Sequence, residues 1–169
     1  VYKFNQFNTH SQPGTVSFRA SGAKSTFEFG RGSLWGYSGL SLAMTGAENQ
    51  LITSDYTAFN TYTGAGVRIA VGNNQSKGTI KMNQARFGGA GGLVIEAGSG
   101  GSEGLIEFTQ GSVIGMSDTG VRIETGAGGM TIVKDSSLQP QRAPVTVRGL
   151  GSCLTEANVI SASAQYLCL

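Results

Sequence analysis

Between Gly120 and Leu138 the chain reads Gly-Val-Arg-Ile-Glu-Thr-Gly-Ala-Gly-Gly-Met-Thr-Ile-Val-Lys-Asp-Ser-Ser-Leu. Val121 and Ile123 stand two apart between Gly120 and Gly126, and a second apolar stretch, Ile132-Val133, precedes Leu138. Two-residue alternation places successive side chains on opposite faces of a strand. Glycine on either side supplies a bend with no steric penalty. The stretch therefore reads as two short strands and a third apolar position, separated by corners.

The same unit recurs along the chain. Apolar pairs start at Val16, Leu40, Val67, Leu93, Val121 and Val145, at intervals of 24, 27, 26, 28 and 24 residues. Each is completed two residues on, by Phe18, Leu42, Ile69, Ile95, Ile123 and Val147. Gly39, Gly66, Gly92 and Gly120 immediately precede four of the six starts. Second strands read Phe27-Glu28-Phe29, Ile80-Lys81-Met82, Ile106-Glu107-Phe108 and Ile132-Val133, while the copy near Leu51-Ile52 fits two registers. The third apolar position is Leu34, Phe59, Phe87, Val113 and Leu138.

Such a repeat, with glycine corners, predicts one coil of a parallel β-solenoid. Equivalent strands then stack about 4.8 Å apart, and the paired apolar positions become two inward ladders. An antiparallel sandwich or barrel also shows short alternating strands and turns, but does not predict like residues at like places in every copy. The expected fold is all-β: a single-stranded parallel β-helix of about five to six coils, roughly 24–28 residues each. Residues 1–13 read as an N-terminal arm or cap, 14–150 as the solenoid and 151–169 as a C-terminal capping segment.

Composition agrees with this reading and excludes others. Glycine contributes 27 of 169 residues, more than double its usual share of roughly 7%, yet follows no three-residue period, so collagen is excluded. An apolar fraction of 39% is enough to build a core. No window approaches the roughly 18 apolar residues of a membrane span. The net charge of +2 is too small to argue for nucleic acid. The chain starts at Val1 and so reads as processed or excised from a larger protein.

Cys153 and Cys168 are the two cysteines. A disulfide between them would pin the C-terminal segment and point to an oxidising, extracytoplasmic setting. The alternative is two buried thiols. Lacking a Cys-x-x-Cys motif and with His10 as the single histidine, the chain offers no zinc-ligand pattern. No cofactor is expected.

The segments Gly66–Phe87, Gly92–Val113 and Gly120–Leu138 resemble the coils of autotransporter passenger domains of the pertactin type. The resemblance spans roughly residues 14 to 150. It implies a right-handed parallel β-helix exported to a bacterial surface.

Outward positions are the place to look for chemistry. In the predicted register Glu96 and Glu124 are neighbours on adjacent coils, the best carboxylate pair for acid–base work on a carbohydrate. Arg122 and Arg148 lie close enough to pair with both on a solvated face. Lys81 and Glu107 hold equivalent places and read as a cross-strand ion pair. Asp55, Asp118 and Asp135 follow different strands or turns, so no acidic cluster for calcium is expected. Gly100-Gly-Ser102-Glu-Gly104 matches the nucleophile-elbow pattern, but a strand follows it where a helix is needed. Asn74-Gln-Ser76 is a glycosylation sequon, relevant only to a eukaryotic secreted protein. Thr26, Thr79 and Thr131 fall short of a repeated water-ordering threonine face.

Trp35, Tyr37, Tyr56, Phe59 and Tyr62 crowd the turns of the early coils. Exposed, they would stack on sugar rings or a partner protein; folded back, they would be buried. Trp35, Tyr37, Tyr56 and Tyr62 are the candidate binding residues. Tyr2, Phe4 and Phe7 cover one end of the coil, and open ends add strands from another copy. The expected function is an exported, non-enzymatic structural or adhesive solenoid, with self-association through its ends and with host or matrix glycans or proteins as partners. The competing expectation is a carbohydrate-active or carbohydrate-binding β-helix using the Glu96/Glu124 face.

Overall fold

A computed structural model describes residues 1–11, 13–73, 76–98, 103–116, 120–141 and 143–168. The chain winds through three strands per coil. The first two layers are β1 (Tyr2–Phe4), β2 (Phe7–Ser11) and β3 (Thr15–Ala20), then β4 (Thr26–Phe29), β5 (Gly32–Gly36) and β6 (Gly39–Met44). Next come β7 (Asn49–Thr53), β8 (Thr57–Thr61) and β9 (Gly66–Val71), followed by β10 (Gly78–Asn83), β11 (Arg86–Gly89) and β12 (Gly92–Ala97). The fifth layer is β13 (Gly104–Thr109), β14 (Ser112–Ile114) and β15 (Val121–Thr125). The sixth is β16 (Met130–Lys134), β17 (Ser137–Gln139) and β18 (Val145–Gly149). The last is β19 (Ser152–Glu156), β20 (Val159–Ile160) and β21 (Gln165–Leu167).

Like strands pair in parallel into three seven-stranded sheets, one begun by β1, one by β2 and one by β3. From β1 to β19 the chain completes six turns of about 25 residues each. This is the parallel β-solenoid that the repeat predicts. In the sheet begun by β3, Val16, Leu40, Val67, Leu93, Val121 and Val145 form one column, and Phe18, Leu42, Ile69, Ile95, Ile123 and Val147 its companion. From Leu40 onward both ladders are buried. Burying each such side chain contributes about 1.5–3 kcal/mol.

The sheet begun by β1 settles two registers. Leu51 lies inside, between Phe27 and Ile80, so Ile52 faces out. In β16 the outcome differs from expectation: Thr131 and Val133 point inward beneath the column of Ile106 and Phe108, while Ile132 aligns with the outward Glu107. A slip of one residue exchanges every side chain between faces. Thr131 is tolerated inside because its hydroxyl donates to the Arg148 carbonyl at 2.8 Å and lies 3.2 Å from the Thr125 hydroxyl. Thr26 and Thr79 share an outward column through Gln50, and the inward turn of Thr131 removes it from that row.

Two kinds of corner close the coil. Entry to the sheet begun by β3 uses glycine: Gly66 and Gly120 have φ of 76° and 78°. A Cβ on Gly66 would strike the Gly92 carbonyl oxygen, and one on Gly120 the Pro144 carbonyl oxygen. The corner from the first sheet to the second puts its positive φ on residues other than glycine. Gln6, Gln84, Gln110, Asp135 and Ala157 sit there at φ between 51° and 56°. Left-handed backbone is uncommon for such residues and costs roughly 1–2 kcal/mol each. The stacked hydrogen bonds that continue through this corner hold it, among them Gln84 N to Thr109 O at 3.0 Å and Asp135 N to Glu156 O at 3.1 Å.

The two ends are filled differently. At the first layer Phe4, Phe7 and Phe18 gather around Phe27 and Phe29, with Phe4 stacked on Phe29 at 4.9 Å. At the last layer Cys153, Ile160, Ala162 and Leu167 pack against the core. A disulfide joins Cys153 to Cys168, closing β19 to the residue after β21.

Candidate functional site

The outward face of the sheet begun by β3 carries a ladder of charge. Pairing of β12 with β15 sets Glu96 opposite Glu124, and pairing of β15 with β18 sets Glu124 opposite Arg148. The two glutamates are neighbours, as the repeat predicts. Guanidinium groups occupy them. Arg68 Nη2 donates to Glu96 Oε2 at 2.6 Å, and Arg122 binds Glu96 Oε1 while its Nε lies 3.5 Å from Glu124 Oε1. Both oxygens of Glu96 are thus committed to arginine. Arg148 makes no ion pair among the described residues. A shallow depression of about 140 Å³ lies over Glu96, Glu124, Arg148 and Leu150. This is well below the roughly 300–1,000 Å³ of a typical ligand pocket.

Lysine–glutamate pairs climb the neighbouring face. Lys81 meets Glu107 at 3.3 Å, the expected pair, and Lys3 meets Glu28 at 2.7 Å. Lys134 meets Glu156 at 2.7 Å, and Lys77 pairs with Glu103. In each case the glutamate stands one coil beyond its lysine. A hydrogen bond from Lys77, and then its charge, hold the Glu103 carboxyl below the usual carboxylate range; Lys134 does the same to Glu156. The lysines are held correspondingly above their ordinary value.

The aromatic candidates divide. Trp35, near the end of β5, stacks on Tyr62 with centroids 5.2 Å apart, and Tyr37 lies 6.0 Å from Tyr62. His10, opposite Trp35 in the pairing of β2 with β5, completes the group at 5.8 Å from Tyr62 and 6.4 Å from Trp35. Tyr37 and Tyr62 are 38% and 46% exposed, so this ring column is a surface feature. The Trp35 indole donates to Ser33 Oγ at 3.2 Å, and Ser33 donates to Asn8 Oδ1 at 2.8 Å, which fixes the ring from beneath.

Tyr56 and Phe59 stand apart from that column. Tyr56 occupies the corner from the first sheet to the second with φ of 61°, next to Asp55 at 53°, and the Arg86 guanidinium lies 5.0 Å from its ring. Pairing of Thr53 with Met82 and Ala58 with Arg86 leaves one more residue in this corner than in the next coil, and the extra residue presents Tyr56 outward. Phe59 is wholly buried, stacked on Phe87 at 5.0 Å. Alternation alone identifies Phe59 as core, since it is the inward position of β8. His10 is the member that sequence reasoning leaves out, because only strand pairing brings residue 10 beside residue 35.

Ser102 of the elbow-like motif, Asn74 of the sequon and Asp118 lie outside the described residues. Among the described residues no group of three His, Cys, Asp or Glu side chains is placed to hold a metal ion, and no helix is long and apolar enough to cross a membrane. No protein-family model, curated protein or solved structure matches the chain.

Proposed function

We propose that the chain is an exported, non-enzymatic structural and adhesive rod, which joins end to end into a surface fibre and presents contacts along its flanks. One observation carries this reading. All three ladders keep register through every layer, and β1, β2, β3 at one end and β19, β20, β21 at the other each keep one strand edge unpaired among the described residues. Unpaired edges are templates for strands of another copy. A rod of this kind transmits position rigidly, because each coil is bonded along its whole length to the next. The Cys153–Cys168 disulfide supports an oxidising compartment. The resemblance to autotransporter passengers supports a right-handed coil and a bacterial surface.

Electron microscopy and sedimentation over a rising concentration series test the fibre. Rods lengthening in steps of one subunit are expected; monodisperse monomers throughout would remove the fibre and leave adhesion to be judged alone. A second reading rests on the adjacency of Glu96 and Glu124 above the depression they line: a carbohydrate-active face. Incubation with acidic polysaccharides, comparing the wild type with Glu124→Gln, decides it. Activity lost in the variant favours that reading, and equal or absent activity in both removes it.

A further inference from the structure

The two end layers offer different surfaces to a neighbour. At the first, Tyr2, Phe4, Val16 and Phe18 head four inward columns, and Tyr2 is 57% exposed. At the last, the same columns close on Cys153, Thr155, Gln165 and Leu167. Rings begin three of these columns, and each of the three closes on a smaller side chain. Thr155 and Leu167, which close the columns of Phe4 and Phe18, also wall the hollow of about 330 Å³ at that end. Charge is divided as well. Residues 1–20 contain Lys3 and Arg19 and no acid, whereas residues 149–168 contain Glu156 and no lysine or arginine.

The backbone separates the ends more sharply. Carbonyls of the inward Phe4, Phe29, Val71, Leu138 and Val147 accept from Gly30, Ser54, Gly98, Ser161 and Cys168, each one coil further on. Carbonyls of the outward Thr109, Lys134 and Glu156 accept from Gln84, Gln110 and Asp135, each one coil before. Backbone groups of alternate residues in a parallel strand point to opposite neighbours, so this polarity holds along each ladder. The open edge of β1 therefore presents the N–H and carbonyl of the outward Lys3. The open edge of β19 presents those of the inward Cys153 and Thr155.

We propose that the rods join head to tail, the first layer of one copy seating on the last layer of another with Phe4 over Thr155, Phe18 over Leu167 and Lys3 over Leu154. The joint rests on the reading of the chain as a fibre subunit, and it names the partner surface of each end. In this register the Thr155 carbonyl accepts from Asn5 of the next copy, as the Phe29 carbonyl accepts from Ser54 within the chain. The rings of the first layer cover the hollow, and Lys3 stands diagonal to Glu156 across the joint, within reach of a long side chain. Turning one rod end for end reverses the order in which the three sheets follow one another round the axis. One sheet at most then meets its own kind, and Lys3 and Arg19 face their own copies. A head-to-tail contact is heterologous and does not close, so it propagates into a polar filament.

Proline tests the joint one end at a time. Lys3→Pro removes a donor from the first open edge and Thr155→Pro one from the last; each N–H points away from its own rod, and edge strands accept proline there. In sedimentation velocity each folded variant alone is expected to stay monomeric at concentrations where the wild type elongates. An equimolar mixture is expected to form a dimer and nothing longer, because one open head and one open tail remain. Dimers or longer rods of either variant by itself, or a mixture that stays monomeric, would overturn the polarity. Electron microscopy of wild-type filaments decides the same question without any variant. Seven layers per copy set an axial repeat of about 34 Å head to tail and about 67 Å in an alternating filament. A repeat of about 67 Å would overturn the proposal whether or not the proline variants fold. Any of these results with an elongating wild type discards the polar joint alone. A wild type that stays monomeric at every concentration discards the joint and the fibre together.

Discussion

The two ends of the solenoid solve one problem by different means. Each terminal coil has neighbours on one side only, so its inward side chains are half-buried and its strands lack one set of hydrogen bonds. The first layer meets this with bulk: Phe4, Phe7 and Phe18 lean on the buried Phe27 and Phe29. The last layer has smaller inward residues, Cys153, Ile160, Ala162 and Leu167, and a covalent tie. Small side chains leave a hollow of about 330 Å³ over Ile160, Gln165 and Leu167. One end is thus held by buried area and the other by connectivity. Nearest-neighbour coupling keeps damage at either end local.

The largest effect is expected at the aromatic end. Phe29 is 1% exposed and lies within ring contact of Phe4, Phe7, Phe18, Phe27 and Phe59. Phe29→Ala should cost about 3–5 kcal/mol in denaturant unfolding, because the surrounding rings cannot all collapse into the space. A loss below about 1 kcal/mol would mean that the first layer contributes no packing, and the contrast between the ends would fail.

Next is the covalent end. Replacing Cys153 and Cys168 together by serine removes closure of a loop 15 residues in span, worth about 3 kcal/mol on the chain-entropy account. The loss should appear as faster amide exchange in β19, β20 and β21, with β1 to β6 unchanged. Protection lost evenly along the rod would show that the disulfide acts on the whole chain rather than on its last coil.

The smallest effect is electrostatic. Glu156 and Glu103 have carboxyls held below the usual range in the folded state by Lys134 and Lys77. A depressed folded value contributes stability that is present above the unfolded carboxylate pKa and is lost as pH falls through the folded one. Acidification through and below the carboxylate range should therefore loosen the last coil slightly, since Glu156 belongs to β19. Carbon-13 titration of the two carboxyls checks this. Midpoints at ordinary glutamate values would show that these exposed pairs do not persist in solution.

The legibility of the chain follows the same physics. The column from Leu40 to Val145 could be read because alternation is a local property and aliphatic residues repeat at each coil. Gly66 and Gly120 could be read because positive φ selects glycine. Gln84, Gln110 and Ala157 could not, since they adopt that backbone without a compositional signal, held by bonds to the coils above and below. Hydrophobicity alone favours Ile132 over Thr131 for the inward place, whereas the Arg148 carbonyl satisfies the Thr131 hydroxyl and lets the register put Thr131 inside. The candidate surfaces divide likewise. The neighbouring glutamates follow from the repeat, but the commitment of Glu96 to Arg68 and Arg122 depends on rotamers across three coils. The separation of Tyr56 from Trp35, Tyr37 and Tyr62 depends on an extra residue in one corner.

By itself the sequence determined the parallel solenoid, its period, its inward aliphatic ladders and its glycine corners, because each arises within a strand or a turn. The tertiary structure alone decided the positive φ of Gln84, Gln110 and Ala157, the inward turn of Thr131 and the joining of His10 to the aromatic column. Those features come from residues a coil apart in sequence, some 25 positions away, which stacking brings to about 4.8 Å.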